Sequence, residues 1–343
     1  MKNNKTYYVC FIAVILISIF SCSVDHEIDP QEEKYVLIIP PGFPYPDIPA
    51  DNPLTQAKIA LGKKLFYDSA LSVDSTISCG SCHNAELAFS DDVTISEGVS
   101  GRLGFRNSPS LANVVYYPVM LKDGGNPTLE TQPYVPLEDH FEMGFNMVLL
   151  VNRLNEDAEY VAEFKTVFGN APDPFGITRA LAAFERTLIS GNSPYDKYTY
   201  QGKTTALTTS QKAGMELFFS PELNCSSCHG GFLLTDNSFQ NNGYFSDYSA
   251  DSGRARITLL QEDVGKFRVP TLRNINLTAP YMHDGSVATL EDVIDQYMLG
   301  GSGHVNQSEL IKSFNLTELE KSDLINFLSA LTDEEFISNS DFK

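Results

Sequence analysis

The chain has 343 residues, of which 42% are hydrophobic and 20% charged, and its formal net charge is −20. This composition is typical of a globular protein, and the length is sufficient for two domains with separate cores. An acidic excess of this size repels phosphate backbones, which argues against nucleic acid as a partner and suits a basic protein partner.

Residues 1–21 have the composition of a lipoprotein-type signal peptide. Two lysines precede an apolar run from Val9 to Phe20, which is too short for a comfortable membrane span. The run ends in I-F-S-C, which resembles a bacterial lipobox and predicts lipid attachment at Cys22. Phe20 is bulkier than the usual residue there, so ordinary cleavage and an uncleaved anchor stay open. We expect a periplasmic protein that meets the membrane only through its lipid.

An internal repeat follows a short N-terminal arm. Residues 22–53 are rich in proline and aspartate and are expected to be extended. The segments "ALGKKLFYDSALS" and "KAGMELFFSPELN" each place Leu-Phe three and four residues after a glycine, on a helical period. Two related modules are therefore predicted, at 54–200 and 201–343.

Each module ends in a segment with helical periodicity, and strand signals are sparse. An all-α fold is therefore predicted. The second closing segment begins with Thr317 and Glu320 in the spacing of a capping box. The residues expected on the apolar faces are Ile177, Leu181, Phe184 and Leu188 within 176–190, and Leu319, Leu324, Phe327 and Leu331 within 316–331.

Each repeat leads into a C-x-x-C-H motif, C-G-S-C-H at 79–83 and C-S-S-C-H at 225–229. Two thioether bonds in this motif attach a haem, and the adjacent histidine is held beneath the iron. A zinc or dithiol site is the alternative for C-x-x-C alone, but the histidine in both copies favours haem. Cys10 and Cys22 belong to the signal region, so no cysteine remains for a structural disulfide. The predicted thioether residues are Cys79, Cys82, Cys225 and Cys228, and the predicted proximal ligands are His83 and His229.

From about residue 54 to 331 the sequence resembles the bacterial diheme cytochrome c peroxidases and their relative MauG. The resemblance rests on four segments in the family order: "RNSPSLANV" (106–114), "DGGNPTLETQ…PLEDHFEMG" (123–144), "FRVPTLRNINLTAPYMHDG" (267–285) and "TLEDVIDQY" (289–297). It implies two cytochrome c-like haem domains with long loops. The N-terminal domain, 54–200, would be peroxidatic, and the C-terminal domain, 201–343, would transfer electrons.

The resemblance also implies how the first iron is used. Peroxidases of the family carry a removable distal histidine in the loop before R-N-S-P, but Val99 stands at that position here. The first iron is therefore expected to be open without reductive activation. Glu142 matches the family's catalytic glutamate, which moves a proton between the two peroxide oxygens, and Gln132 matches the glutamine that orients the peroxide.

For the second haem, the resemblance places the distal ligand on the segment that contains "TLEDVIDQYM". The usual methionine position falls on Tyr297, as in MauG-like members, and Met298 next to it is the alternative. A phenolate ligand would lower the reduction potential, whereas a thioether would raise it. His283 matches a family histidine that is expected to hydrogen-bond near this haem.

Two features concern the space between the haems. The family binds a calcium ion through an asparagine side chain and two backbone carbonyls, which match Asn107, Thr278 and Pro280. A family tryptophan that relays electrons between the haems is replaced by Lys122, and the chain contains no tryptophan. Either a tyrosine serves instead or the haems communicate differently. The tyrosines nearby in sequence are Tyr116, Tyr117 and Tyr134.

We therefore expect an oxidoreductase that reduces hydrogen peroxide to water with electrons from a small cytochrome c or cupredoxin. One alternative is a MauG-like enzyme that oxidises side chains of a partner protein. A second alternative is a non-enzymatic diheme electron-transfer protein, which would require both irons to be capped. The resemblance further implies two covalent haem c groups, one calcium ion and a homodimer.

Overall fold

The computed structural model describes residues 34–343, so the signal peptide and Cys22 lie outside the described residues. This part of the chain is mostly helical, with one antiparallel pair of two-residue strands in which Phe239 lies opposite Arg268. The all-α prediction is confirmed. Within residues 34–343, no helix combines the length and apolar character needed to cross a membrane.

The helices are short and are joined by long loops. Several additional 3₁₀ turns punctuate these loops, including Cys225–Ser227 in the second haem motif. The α-helices are α1 Gln56–Tyr67, α2 Cys79–Cys82, α3 Tyr134–Glu138, α4 Met147–Glu156, α5 Ala158–Phe168, α6 Pro174–Glu185, α7 Pro194–Thr199, α8 Thr209–Phe218, α9 Ala255–Thr258, α10 Leu290–Leu299, α11 Glu318–Ser329 and α12 Glu334–Ile337; the strands are β1 Phe239–Gln240 and β2 Phe267–Arg268.

The first hydrophobic core forms where α1 packs against α6. The repeat glycine Gly62 permits the contact, because a Cβ there would lie 1.8 Å from the carbonyl oxygen of Ala180. All four residues predicted on the apolar face of the segment 176–190 are buried. The glycine that precedes Leu65 and Phe66 therefore allows the backbones of α1 and α6 to approach closely.

The second core repeats this arrangement with α8 against α11. A Cβ at Gly214 would lie 1.9 Å from the carbonyl oxygen of Asp323. The predicted capping box is present, since Thr317 Oγ1 accepts from Glu320 N–H and Glu320 Oε2 accepts from Thr317 N–H. The prediction for Leu319 was wrong, because this side chain is 72% exposed. It lies five residues before Leu324, and at about 3.6 residues per turn this spacing carries it away from the buried face.

The loops after the two haem motifs also repeat. Asn113 and Asn274 both adopt left-handed backbone conformations, with φ of 64° and 59°. The N–H of Asn113 donates to the carbonyl of Leu188 at 2.7 Å, and that of Asn274 donates to the carbonyl of Leu331 at 3.0 Å. Each loop is therefore fastened to the end of the closing helical segment of its own half.

The C-terminal residues return to the first core after the second core is complete. The ring of Phe89 has centroid distances of 5.8 Å to Phe336 and 6.2 Å to Phe342. Residues 34–53, at the other end of the described chain, contain no helix, and Leu37 and Phe43 are buried. The residues packed around Phe89 thus include some that come later in the sequence than all of the residues predicted to bind haem.

Candidate active site

The first C-x-x-C-H motif forms a single helical turn, and backbone carbonyls hydrogen-bond to its histidine. The N–H of His83 donates to the carbonyl of Cys79 at 3.0 Å. Its Nδ1 lies 2.9 Å from the carbonyl oxygen of Phe89, which can only accept, so Nδ1 carries the proton and Nε2 keeps its lone pair. Burial lowers the pKa of His83, which favours the neutral form that ligates metals. Cys79 and Cys82 are free thiols.

The second motif forms a 3₁₀ turn, and its histidine makes the corresponding hydrogen bonds. The N–H of His229 donates to the carbonyl of Cys225 at 2.9 Å, and its Nδ1 lies 3.3 Å from the carbonyl oxygen of Leu234. Leu234 has a left-handed backbone conformation with φ of 53°, as Phe89 does with φ of 59°. The thiols of Cys225 and Cys228 are also free. Both motifs therefore fit a haem c, because each offers two thiols and an imidazole whose Nε2 is available to iron.

A cavity beside the first motif brings the predicted peroxidatic residues together. Its wall contains Cys79, Cys82 and His83 together with Gln132 and Glu142. The carboxyl and amide side chains can therefore act on a molecule bound in the space that the first haem would share.

The environment of Glu142 suits proton transfer. Burial raises the pKa of its carboxyl to about 7, and the negative charge of Asp139 adds to this effect. Near neutral pH both protonation states are then populated, which favours a group that must take a proton and return it. The N–H of Glu142 donates to the carbonyl of Asp139 at 3.0 Å, within a turn that ends at Gly144.

The loop that carries Val99 packs directly on this turn. Val99 is 1% exposed, and its side chain lies against Gly144. Its N–H donates to the carbonyl of Glu142 at 2.9 Å. The preceding Gly98 is required by the close approach, since a Cβ there would lie 1.9 Å from the carbonyl oxygen of Phe141. The loop is thus held against the peroxidatic residues by backbone contacts.

The cavity also contains a carboxyl that the sequence interpretation missed. Glu185 lines the cavity from the end of α6 and is 5% exposed. Burial raises the pKa of its carboxyl to about 8, against the opposing effect of Arg186. Its spacing of four residues from Leu181 places it on the buried face of the helix, and that spacing was the available signal.

In the second half, the two candidate distal ligands lie in different surroundings. The side chain of Tyr297 lines a cavity with Asn242 and Met282. Burial raises the pKa of its phenol, a hydrogen bond with Asn242 opposes this, and the nearby thiols of Cys225 and Cys228 raise it further. The side chain of Met298 instead packs against the second hydrophobic core.

His283 and Asn107 are in contact across the two halves, whereas the contacts of Thr278 lie within the second half. The imidazole of His283 stacks on Phe267 with a centroid distance of 4.0 Å. The backbone carbonyl of His283 accepts from the N–H of Asn107 at 3.0 Å. Thr278 Oγ1 donates to the carbonyl of Ile275, and Pro280 follows a cis peptide bond. Within residues 34–343, no three His, Cys, Asp or Glu side chains form a metal-binding group, so a cation here would depend on amide and carbonyl oxygens.

Comparison with known proteins identifies the family of this arrangement. Residues 56–205 match the family model for the di-haem cytochrome c peroxidases. The chain is 37% identical to the cytochrome c peroxidase IdrP1 of Pseudomonas sp. strain SCT, over 88% of each chain. It is 35% identical to the methylamine utilization protein MauG of Methylorubrum extorquens, over 83% of this chain and 81% of that one.

A solved structure gives the same result for the fold. The crystal structure of a MauG-like protein associated with microbial copper homeostasis superposes with a TM-score of 0.84 at 38% identity, covering 90% of this chain and 99% of the other. The resemblance seen in the sequence is confirmed. The chain belongs to the di-haem cytochrome c peroxidase family and is an oxidoreductase of that type.

Proposed function

We propose that this protein reduces hydrogen peroxide to water at the first haem site, with electrons from a small periplasmic cytochrome c or cupredoxin. The observation that carries the proposal is the shared cavity of His83, Gln132 and Glu142 beside the two thiols of the first motif. The haem bound there would supply the iron at which the O–O bond is cleaved. Each turnover consumes one peroxide, two protons and two electrons and yields two waters.

The protein residues would orient the peroxide and move one of the protons. Gln132 hydrogen-bonds to the peroxide and holds it in one orientation. Glu142, as a carboxylate, would take a proton from one oxygen of the peroxide and return it to the other, which would leave as water. The contact of Val99 N–H with the carbonyl of Glu142 keeps this residue in place.

Tyr297 is the distal ligand that we propose for the second haem. Its phenol lies near Cys225 and Cys228 of the second motif, whereas Met298 packs against the second hydrophobic core. We also propose covalent haem attachment at both motifs, a hydrogen-bonding role for His283 near the second haem, calcium at Asn107, Thr278 and Pro280, and a lipid anchor at Cys22. We propose in addition that the protein forms a homodimer.

A MauG-like activity on a partner protein is the second candidate. The position of Tyr297 favours it, because a phenolate ligand suits the storage of oxidising equivalents. Steady-state peroxide turnover with a reduced cytochrome c or cupredoxin separates the two candidates. Rapid turnover supports the peroxidase, whereas negligible turnover with a persistent peroxide-induced spectrum supports oxidation of a protein substrate.

Electron paramagnetic resonance of the fully oxidised protein tests the first site directly. We expect one high-spin ferric signal from the open first haem and one low-spin signal from the second. Two low-spin signals, with no spectral change on addition of peroxide, would contradict the proposal and favour the electron-transfer protein. Haem content measured on the same sample should be two per chain.

A further inference from the structure

The cations that line the first cavity fall into two groups. Arg106 forms ion pairs with Asp123 and Asp251, both at 2.7 Å, and Arg256 lies 3.7 Å from Asp123. The other two cations of the cavity wall, Lys122 and Arg268, take part in none of the ion pairs found within residues 34–343. The cavity thus has two cationic side chains that form no direct contact with a carboxylate of the described chain.

Lys122 is held by neutral acceptors. Its Nζ donates to the carbonyl oxygens of Met282 and His283 at 3.4 and 3.3 Å, which are long hydrogen bonds. Burial lowers the pKa of Lys122 to about 7, and Arg106 adds to this effect, while the charges of Asp284 and Asp91 oppose it only in part. An ammonium group in such a place needs an anion beside it to remain charged.

Arg268 has a free hydrogen-bond donor inside the protein. Its guanidinium lies over the ring of Tyr117, 4.0 Å from the centroid, and Nη1 donates to Asn237 Oδ1 at 3.3 Å. Its Nε is buried and has no hydrogen-bond partner among residues 34–343. Buried donors are nearly always paired, so an unpaired one in a cofactor cavity indicates that the cofactor supplies the acceptor.

We propose that Lys122 and Arg268 bind the two propionate carboxylates of the haem attached at Cys79 and Cys82. The inference rests on the haem attachment in the proposed function. The charges match, because a haem carries two carboxylates and this cavity contains two cations that have no carboxylate partner in the described part of the chain. A propionate also supplies the anion that Lys122 lacks and the acceptor that Arg268 Nε lacks.

In this assignment Lys122 also acts as a positioning residue, because it connects the propionate of the first haem to the second site. Met282, whose carbonyl accepts from Lys122, also lines the cavity of Tyr297. A propionate bound to Lys122 would therefore be joined through one ammonium group to the wall of the second site. The contact lies at the position where the sequence resemblance predicts a tryptophan, and it requires no aromatic side chain.

The test compares the reduction potential of the first haem in Lys122→Met, Arg268→Met and the wild type. A cation beside the haem favours the ferrous form, because reduction removes one positive charge from the iron. The midpoint potential should therefore become more negative in both variants. Lys122→Arg retains the cation and should keep a potential closer to that of the wild type. Lys165→Met, which removes an exposed lysine of α5 that does not line the cavity, is the matched control and should leave the potential unchanged.

Resonance Raman spectra provide a second measurement, because the propionate bending bands report hydrogen bonds to the carboxylates. These bands should shift in Lys122→Met and Arg268→Met and not in Lys165→Met. Unchanged bands and potentials in both test variants would overturn the inference. If Lys122→Met does not fold, Lys122→Gln is compared with Lys122→Arg by the same criteria. A wild-type protein without haem at Cys79 and Cys82 would instead refute the proposed function.

Discussion

The backbone N–H of Val99 donates to the carbonyl oxygen of Glu142 at 2.9 Å. This bond joins the loop in which the sequence resemblance predicts a removable histidine to the residue proposed to transfer the proton. Both peptide groups belong to segments that pack closely. A side chain at Gly98 would overlap the backbone of Phe141. A change in the Val99 loop would therefore move Glu142 as well.

Replacing Glu142 with glutamine removes the proton-transfer group and keeps its size. We expect kcat for peroxide reduction to fall by about 10²–10⁴-fold, the usual contribution of general acid–base catalysis. Stopped-flow or steady-state assays with a reduced cytochrome measure the change. Glu156→Gln alters an exposed carboxylate on α4 and should keep wild-type turnover. Wild-type turnover in Glu142→Gln, with both haems present, would refute the assigned role.

The pH profile follows from the state in which Glu142 must begin. It accepts a proton first, so the active form is the carboxylate, and its pKa is about 7. We therefore expect kcat/KM for peroxide to rise with pH through about 7 and to fall as the carboxylate is protonated below it. The Glu142→Gln variant should lose this transition. A profile that is flat across this range in the wild type would contradict the prediction.

Tyr297 and Met298 can be distinguished because they are neighbours in sequence but not in environment. Tyr297→Phe should change the low-spin signal of the second haem and abolish phenolate bands in resonance Raman spectra. Met298→Leu should preserve both and reduce stability by less than about 1.5 kcal/mol, as volume-conserving core substitutions do. The reverse pattern, with the ligand spectrum lost only in Met298→Leu, would identify the thioether as the ligand.

The two repeat glycines can be tested by adding one methyl group. Alanine is about 1 kcal/mol better than glycine in a helix, but a Cβ at Gly62 or Gly214 would overlap a backbone carbonyl of the facing segment. We expect Gly62→Ala and Gly214→Ala to destabilise the protein by about 1–3 kcal/mol, as overpacking does. Chemical denaturation measures the loss. Gly104→Ala, where no atom of residues 34–343 lies within 4 Å of the added Cβ, is the control and should cost little.

A buried ion pair joins α7 to the loop that follows the second haem motif. Arg273 donates from Nη1 and Nη2 to the two carboxylate oxygens of Asp196, both at 2.8 Å, and the side chains are 1% and 0% exposed. Asp196→Asn leaves a buried guanidinium without its anion and should cost about 3–5 kcal/mol in unfolding free energy. Lys197→Met breaks a pair with the exposed Glu335 and should cost less than about 1 kcal/mol. Equal losses in the two variants, measured by chemical denaturation, would contradict the larger contribution expected of the buried pair.

The features that could be predicted from the sequence are those that local spacing determines. The haem motifs, the helices at the repeat glycines and the capping box of Thr317 and Glu320 all depend on residues a few positions apart. Leu319 shows the limit of a periodic pattern, because an apolar residue one position off the stripe can remain exposed. A hydrogen bond to a backbone carbonyl, such as that of His83 Nδ1 to Phe89, does not depend on the side chain of the acceptor residue. Such a contact therefore leaves no pattern in the sequence.

The cations of the first cavity could not be sorted from sequence alone. Arg106 and Arg268 each follow a phenylalanine in the sequence, but within residues 34–343 only Arg106 forms ion pairs with carboxylates, and one of these, Asp251, is distant in sequence. Likewise, Lys122 meets the carbonyls of Met282 and His283 only after the two halves pack together. Such pairings depend on tertiary contacts, which no local pattern encodes.

Phe89 links the first haem site to residues that are synthesised long after the first haem motif. Its carbonyl orients His83, while its ring packs against Phe336 and Phe342. Contacts between residues so far apart in sequence require the closure of a long loop, which has an entropic cost and slows their formation. A nascent chain that has already exposed C-G-S-C-H would therefore present a histidine without its final support. The packing around the support of His83 therefore depends on both halves of the chain rather than on the N-terminal half alone.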